Sequence, residues 1–151
     1  SFDYVICSEV LEHIIEFEEV IEEINRILKP GGIFSASVPK FFPEWICWKI
    51  SKAYQEMPGG HVRIFKYSDF KSSITRRGFV FKKRHWNHAL HSPYWWLQCL
   101  FWDTKEESWI IKKYHQFLVW DMMKKPLLTR VLEFILQPFI AKSVVAYFKK
   151  Q

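Results

Sequence analysis

The first apolar run, Phe2 to Cys7 (FDYVIC), mixes β-branched and aromatic residues and predicts a short buried strand. From Glu16 to Leu28 the period changes. Phe17, Val20, Ile21, Ile24, Ile27 and Leu28 fall on one helical face, and glutamates crowd the first half, where the helix dipole favours negative charge. Lys29-Pro30-Gly31-Gly32 is expected to stop that helix in a tight turn. Ile33 to Val38 (IFSASV) then reads as a second strand, closed by Pro39. Strand, helix, glycine turn and strand form a βαβ unit, which sets its two strands parallel and adjacent.

Further along, Phe41 to Tyr54 predicts a loop and helix with Trp45 and Trp48 on one side, followed by a Met57-Pro58-Gly59-Gly60 loop. Ser68 is the expected N-cap of a helix that runs to Arg77 and stops at Gly78. Phe79 to Trp86 predicts a third strand. Residues 88–141 read as helices broken near Asp103, Pro126 and Pro138. Lys142 to Lys149 returns to strand, and its unbroken run Val144 to Phe148 suits a strand covered on both faces. The fold class is therefore α/β.

Composition narrows the classes. At 151 residues the chain has room for one core of ordinary size, and 49% hydrophobic with 25% charged residues argues against disorder. Three cysteines without a C-x-x-C pair suit a reduced, cytoplasmic chain rather than a disulfide scaffold. Nothing resembles a signal peptide, and no apolar stretch is long enough to span a bilayer. The chain opens directly in a strand, so it is expected to be a piece of something longer. Charge is uneven: residues 1–30 hold eight acids and two bases, whereas 31–151 hold twenty bases and eight acids. A basic region can meet nucleic acid, anionic lipid or an acidic substrate. No nucleic-acid recognition motif is present, so a nucleic-acid partner is not expected.

Four motifs in order carry a resemblance. They are Phe2-Asp3-Tyr4-Val5-Ile6-Cys7-Ser8-Glu9-Val10-Leu11-Glu12-His13, Arg26-Ile27-Leu28-Lys29-Pro30-Gly31-Gly32, His61-Val62-Arg63-Ile64-Phe65 and Gly78-Phe79. The sequence resembles the C-terminal half of class I S-adenosylmethionine (SAM)-dependent methyltransferases, in the ubiquinone-biosynthesis-like (methyltransferase type 11) branch. The resemblance implies a Rossmann-like sheet, with Phe2–Cys7, Ile33–Val38 and Phe79–Trp86 as strands four, five and six. Ser143–Lys149 would be an antiparallel seventh strand lying between the fifth and sixth. Residues 1–89 and 142–151 would then form a partial methyltransferase domain, and 90–141 an aromatic-rich helical insertion. The Gly-rich loop and the ribose-binding acid of the family have no counterpart here, and Gly31-Gly32 follows a helix instead of preceding one. A fragment that binds SAM poorly by itself is the expected consequence.

The resemblance also places residues. Cys7, Ser8 and Glu9 follow the carboxyl end of a parallel strand, where ligands of open α/β sheets bind, and would face the methionine part of SAM, with Leu11 packed nearby. His13 and His61 are the candidate bases for removing a proton from a methyl acceptor, and Arg63 is a candidate contact to an acceptor carboxylate or phosphate. The acceptor would be a small molecule, quinone-like, phenolic or lipid. No metal site is expected: Glu12-His13 lacks a second histidine nearby, and His85, His88 and His91 lack a partner carboxylate. Trp95, Trp96 and Trp102 with Lys112, Lys113, Lys124 and Lys125 suit a membrane surface, a lid over an apolar substrate, or a small helical core. The alternative function is a non-enzymatic membrane-surface or protein-interaction module built on a methyltransferase remnant. An exposed first-strand edge would favour a dimer.

Overall fold

In the computed structural model, which describes residues 1–151, β1 (Phe2–Ser8) and β2 (Leu28–Pro39) run side by side and parallel. Tyr4 lies opposite Ile33 and Ser8 opposite Ser37. The crossover is α1 (Phe17–Ile27), whose buried Ile21 and Ile24 come from the face read off the sequence. Next come α2 (Phe41–Ile50), α3 (Lys52–Gln55), α4 (Tyr67–Thr75) and β3 (Phe79–Asn87). The chain continues through α5 (His91–Leu100), α6 (Trp109–Lys124) and α7 (Leu127–Ile140) to β4 (Ser143–Lys150). β4 enters antiparallel beside β2, from Ile33 opposite Lys149 to Pro39 opposite Ser143. The strand order is β1-β2-β4-β3, so the last strand does lie between the second and third.

Two compact units result. Residues 1–41, 61–85 and 143–151 form the sheet unit, and residues 42–60 and 86–142 the helical unit. The core of the sheet unit is aromatic. Phe34 is fully buried with its ring 5.4 Å from Phe79 and 6.1 Å from Phe148, and Phe70 and Phe81 pack on Phe148 in turn. Lys150 donates to the carbonyls of Asn25 and Leu28, so a cation closes the C-terminal end of α1. The helical unit includes 42–60 because Cys47 and Tyr54 share a buried cluster with Cys99, walled by Trp48, Trp95, Trp96 and Trp102. Glu44, fully buried there, accepts from the Tyr54 hydroxyl at 2.8 Å and from Lys142 at 2.5 Å. Burial first, then the Glu44 charge, pushes the Tyr54 phenol above its ordinary range.

Several sequence expectations change. Lys29-Pro30-Gly31-Gly32 lies inside β2, not in a separate turn: α1 ends, the chain becomes extended at once, and the extra residues are taken up as an irregularity between the Phe2 and Tyr4 pairings. Glycine is required there. Gly31 has φ +78°, and a Cβ on Gly32 would sit 2.9 Å from the Lys29 carbonyl oxygen. β1 is not buried. It is an edge strand, and alternate residues Tyr4 and Ile6 are exposed. Ser68 sits inside α4, where Lys66 is the N-cap residue, and its hydroxyl bonds to Asp69. Pro138 lies within α7: a proline gives up one helical N–H bond, and the helix still runs two residues beyond it.

Phe34→Ala is expected to cost about 3–5 kcal/mol in denaturant unfolding, whereas Ile6→Ala, 76% exposed, should stay within about 0.5 kcal/mol. Lys142→Met should cost about 3–5 kcal/mol in the same measurement, because it strands the Glu44 carboxylate without its cation.

Candidate functional site

The carboxyl end of β1 is built from backbone constraint. Cys7 is buried, and the Ser8 hydroxyl meets that of Ser37 on β2 at 2.9 Å. Glu9 then turns the chain with φ +52°, a left-handed conformation that costs a non-glycine residue about 1 kcal/mol, and its N–H is fixed on the Ser37 carbonyl at 3.1 Å. The next residues form a short 3-10 turn, Leu11–His13, seated by fully buried Leu11.

That turn carries the main cluster of ionisable groups in the sheet unit. Glu12 is buried, and its Oε1 lies 3.9 Å from His13 Nε2 and 4.0 Å from His61 Nε2. The two imidazoles meet edge to face with centroids 4.8 Å apart. His61 comes from the segment after the Met57–Gly60 loop, and three anchors deliver it. Val62 N–H donates to the Glu12 carbonyl at 2.9 Å, Arg63 donates to the Ile15 carbonyl at 2.5 Å, and Phe65 packs on Phe17 and Phe70. The Arg63 guanidinium also covers the Phe17 ring at 4.5 Å. At 3.9–4.0 Å the carboxylate can stabilise either imidazolium electrostatically.

The structure thus brings His13 and His61 together beside the end of β1. Leu11, expected near a cofactor, is wholly enclosed and supports the turn from beneath. Arg63 is engaged with Ile15 and Phe17, so it braces the histidine segment. Glu12 is not a site residue expected from the sequence. Its one legible signal was a carboxylate set between Leu11 and His13 in an otherwise apolar approach to α1. A metal was not expected because no second histidine lies nearby in sequence, yet His61 supplies one through space. The ligand atoms of Glu12, His13 and His61 all lie within 4.8 Å of one another, and one carboxylate with two imidazoles is a donor set that divalent transition metals accept. Of the other histidines, His85 stacks on Tyr147, while His88 and His91 contact each other.

Residues 1–36 match the family model described as "Methyltransferase domain". No curated protein sequence matches the chain. An S-adenosylmethionine-dependent methyltransferase from Mesorhizobium loti superposes with a TM-score of 0.53 at 12% identity, over 99% of this chain and 62% of that one. A Galdieria sulphuraria protein named as a sarcosine dimethylglycine methyltransferase gives 0.54 at 16% identity, over 100% and 53%. This chain has the class I methyltransferase fold. The same fold occurs in the [4+2]-cyclase SpnF, with a TM-score of 0.53 at 16% identity over 99% of this chain and 50% of that one. The chain spans between 50% and 62% of the length of these three proteins.

Ligands of open α/β sheets bind outside the carboxyl ends of parallel strands, which here are the ends of β1 and β2. One observation tests whether SAM fits them. Glu9 Oε1 is buried and accepts no hydrogen bond, so a cationic donor such as the ammonium of the methionine part would satisfy it. These 151 residues contain no Gly-rich strand–loop–helix for the nucleoside part, so the fit covers the methionine end alone.

Cys7 reports on the same strand end. Burial first, and the Glu12 charge second, push its thiol from 9.0 up to about 11. The folded state therefore holds the neutral thiol. Its contribution to stability is full below about pH 9 and is lost as pH rises toward about 11. Alkylation of Cys7 in the folded chain should follow a titration centred near pH 11, and Glu12→Gln should move that titration downward.

Proposed function

We propose that this chain is part of a SAM-dependent methyltransferase and helps transfer a methyl group to a small-molecule acceptor of quinone-like, phenolic or lipid type. The observation that supports this reading best is the joining of two features at one place. The carboxyl ends of two parallel strands present Cys7, Ser8 and Glu9, and the Glu12–His13–His61 cluster stands directly after them in the chain. When bound, SAM supplies an electrophilic methyl group on a sulfonium centre. Glu9 and the backbone at Cys7 and Ser8 would hold its methionine end, and His13 or His61 would take the acceptor proton at a ring nitrogen. Glu12 would stabilise the imidazolium so formed, and Arg63 would keep the His61 segment in place. Orientation of donor and acceptor supplies most of the rate in such a transfer. Under this reading the open edge of β1 accepts another strand, from the rest of the domain or from a second copy.

A second reading is a non-enzymatic interaction module, for which the exposed apolar residues of the helical unit, such as Leu127 and Phe139, are the supporting observation. The two part experimentally. In the protein that joins this chain to a Gly-rich cofactor-binding segment, radiolabelled methyl transfer to phenolic acceptors should occur. His61→Ala or His13→Ala should lower kcat about 10²–10⁴-fold. The 151-residue chain alone should give no measurable heat with SAM. Absence of transfer with every acceptor, or micromolar SAM affinity of the chain alone, would contradict the reading.

A further inference from the structure

In the helical unit, α7 is built inside out. Its polar residues Thr129, Arg130, Glu133 and Gln137 share one side and line a cavity of about 370 Å³ that α6 also borders. Thr129 is buried, and the Glu133 carboxylate accepts from the backbone N–H groups of Ala89 and Leu90 at the start of α5, at 2.5 and 2.9 Å. The polar face is therefore the structural face. The rest of the helix carries Leu127, Leu128, Val131, Ile135 and Phe139, all exposed, with Phe134 at the boundary, where it also borders the cavity; Leu127 stands at 76%, Phe134 at 78% and Phe139 at 68%. At 3.6 residues per turn these positions sweep about 140° of the helix. Trp109, Trp120, Met122 and Met123 on α6 are exposed as well. Trp95, Trp96 and Trp102 pack against the buried Cys47–Tyr54–Cys99 cluster, which matches the helical-core alternative for them.

Charge decides what this face meets. From Trp109 to Ala141 the exposed ionic residues are Lys112, Lys113, Lys124, Lys125 and Arg130, and the two acids, Asp121 and Glu133, are both half-buried. Lys124 and Lys125, both exposed, lie at the turn between α6 and α7, where Lys125 adopts φ +48° and borders the same cavity as the polar residues of α7. Exposed aliphatic and aromatic side chains that follow a pair of lysines in the chain match the anionic surface of a bilayer: rings and aliphatics enter the headgroup boundary and cations pair with lipid phosphates. No helix here is long and apolar enough to cross a membrane, so the contact is in plane.

We propose that the outward face of α7, with the Lys124–Lys125 turn and the exposed tryptophans of α6, docks the protein on an anionic lipid surface. This does not rest on methyl transfer, so either can fail alone. The test is co-sedimentation and tryptophan fluorescence of the chain with vesicles of phosphatidylcholine alone and of phosphatidylcholine mixed with phosphatidylglycerol. Binding should be at least about tenfold tighter to the mixed vesicles, with a blue-shifted emission, and should weaken as salt rises. Phe134→Ser with Leu127→Ser, and separately Lys124→Glu with Lys125→Glu, should each lower affinity about tenfold or more. Unchanged far-ultraviolet circular dichroism would show that both variants are folded. Equal binding to both vesicle types, no binding to either, or binding indifferent to both variants would overturn the proposal. So would a stable dimer that Phe134→Ser returns to monomer, since a second copy would then own the face.

Discussion

Parallel pairing of β1 with β2 is the constraint from which the rest follows. Parallel strands need a crossover, and α1 supplies it. Both carboxyl ends then emerge on the same side of the sheet, where Ser8 and Ser37 touch and Glu9 is forced into its left-handed turn. Antiparallel β4 seals the other edge of β2, and its Phe148 fills the aromatic core under Phe34. A rigid sheet end of this kind can present a strained, polar turn without that turn collapsing.

Glu12 couples this scaffold to chemistry. A buried carboxylate is costly unless positive or hydrogen-bonding groups lie near it, and here two imidazoles approach the same oxygen. They are separated by 48 positions in sequence, so their meeting depends on the segment after residue 60 being pinned. That segment is held through Val62, Arg63 and Phe65, by backbone, guanidinium and ring contacts respectively. Arg63 thus matters to the cluster through position.

Much of this was legible in the residues. The one-sided apolar face of α1, the βαβ order and the doubly covered β4 are local patterns with one physical reading each. The placing of β4 between β2 and β3 rested on the family resemblance and holds in the topology. What escaped the sequence was nonlocal. The exposure of Tyr4 and Ile6 depends on which strand lies beyond β1. The carboxylate–imidazole cluster depends on a loop returning His61 to Glu12. The assignment of Trp95, Trp96 and Trp102 to a core depends on residues 42–60 joining the helical unit. Likewise α7 shows a strong amphipathic pattern, but periodicity cannot tell which face turns inward; the Glu133 hydrogen bonds to α5 decide that.

The central claim, that β1 and β2 are parallel neighbours in one register, is open to a direct measurement. Cross-strand nuclear Overhauser effects between backbone protons of Val5 and Phe34, and of Cys7 and Ala36, are expected in the folded chain, together with slow hydrogen exchange of the Glu9 amide bonded to Ser37. Cross-strand effects of antiparallel type, or none between these segments, would contradict it.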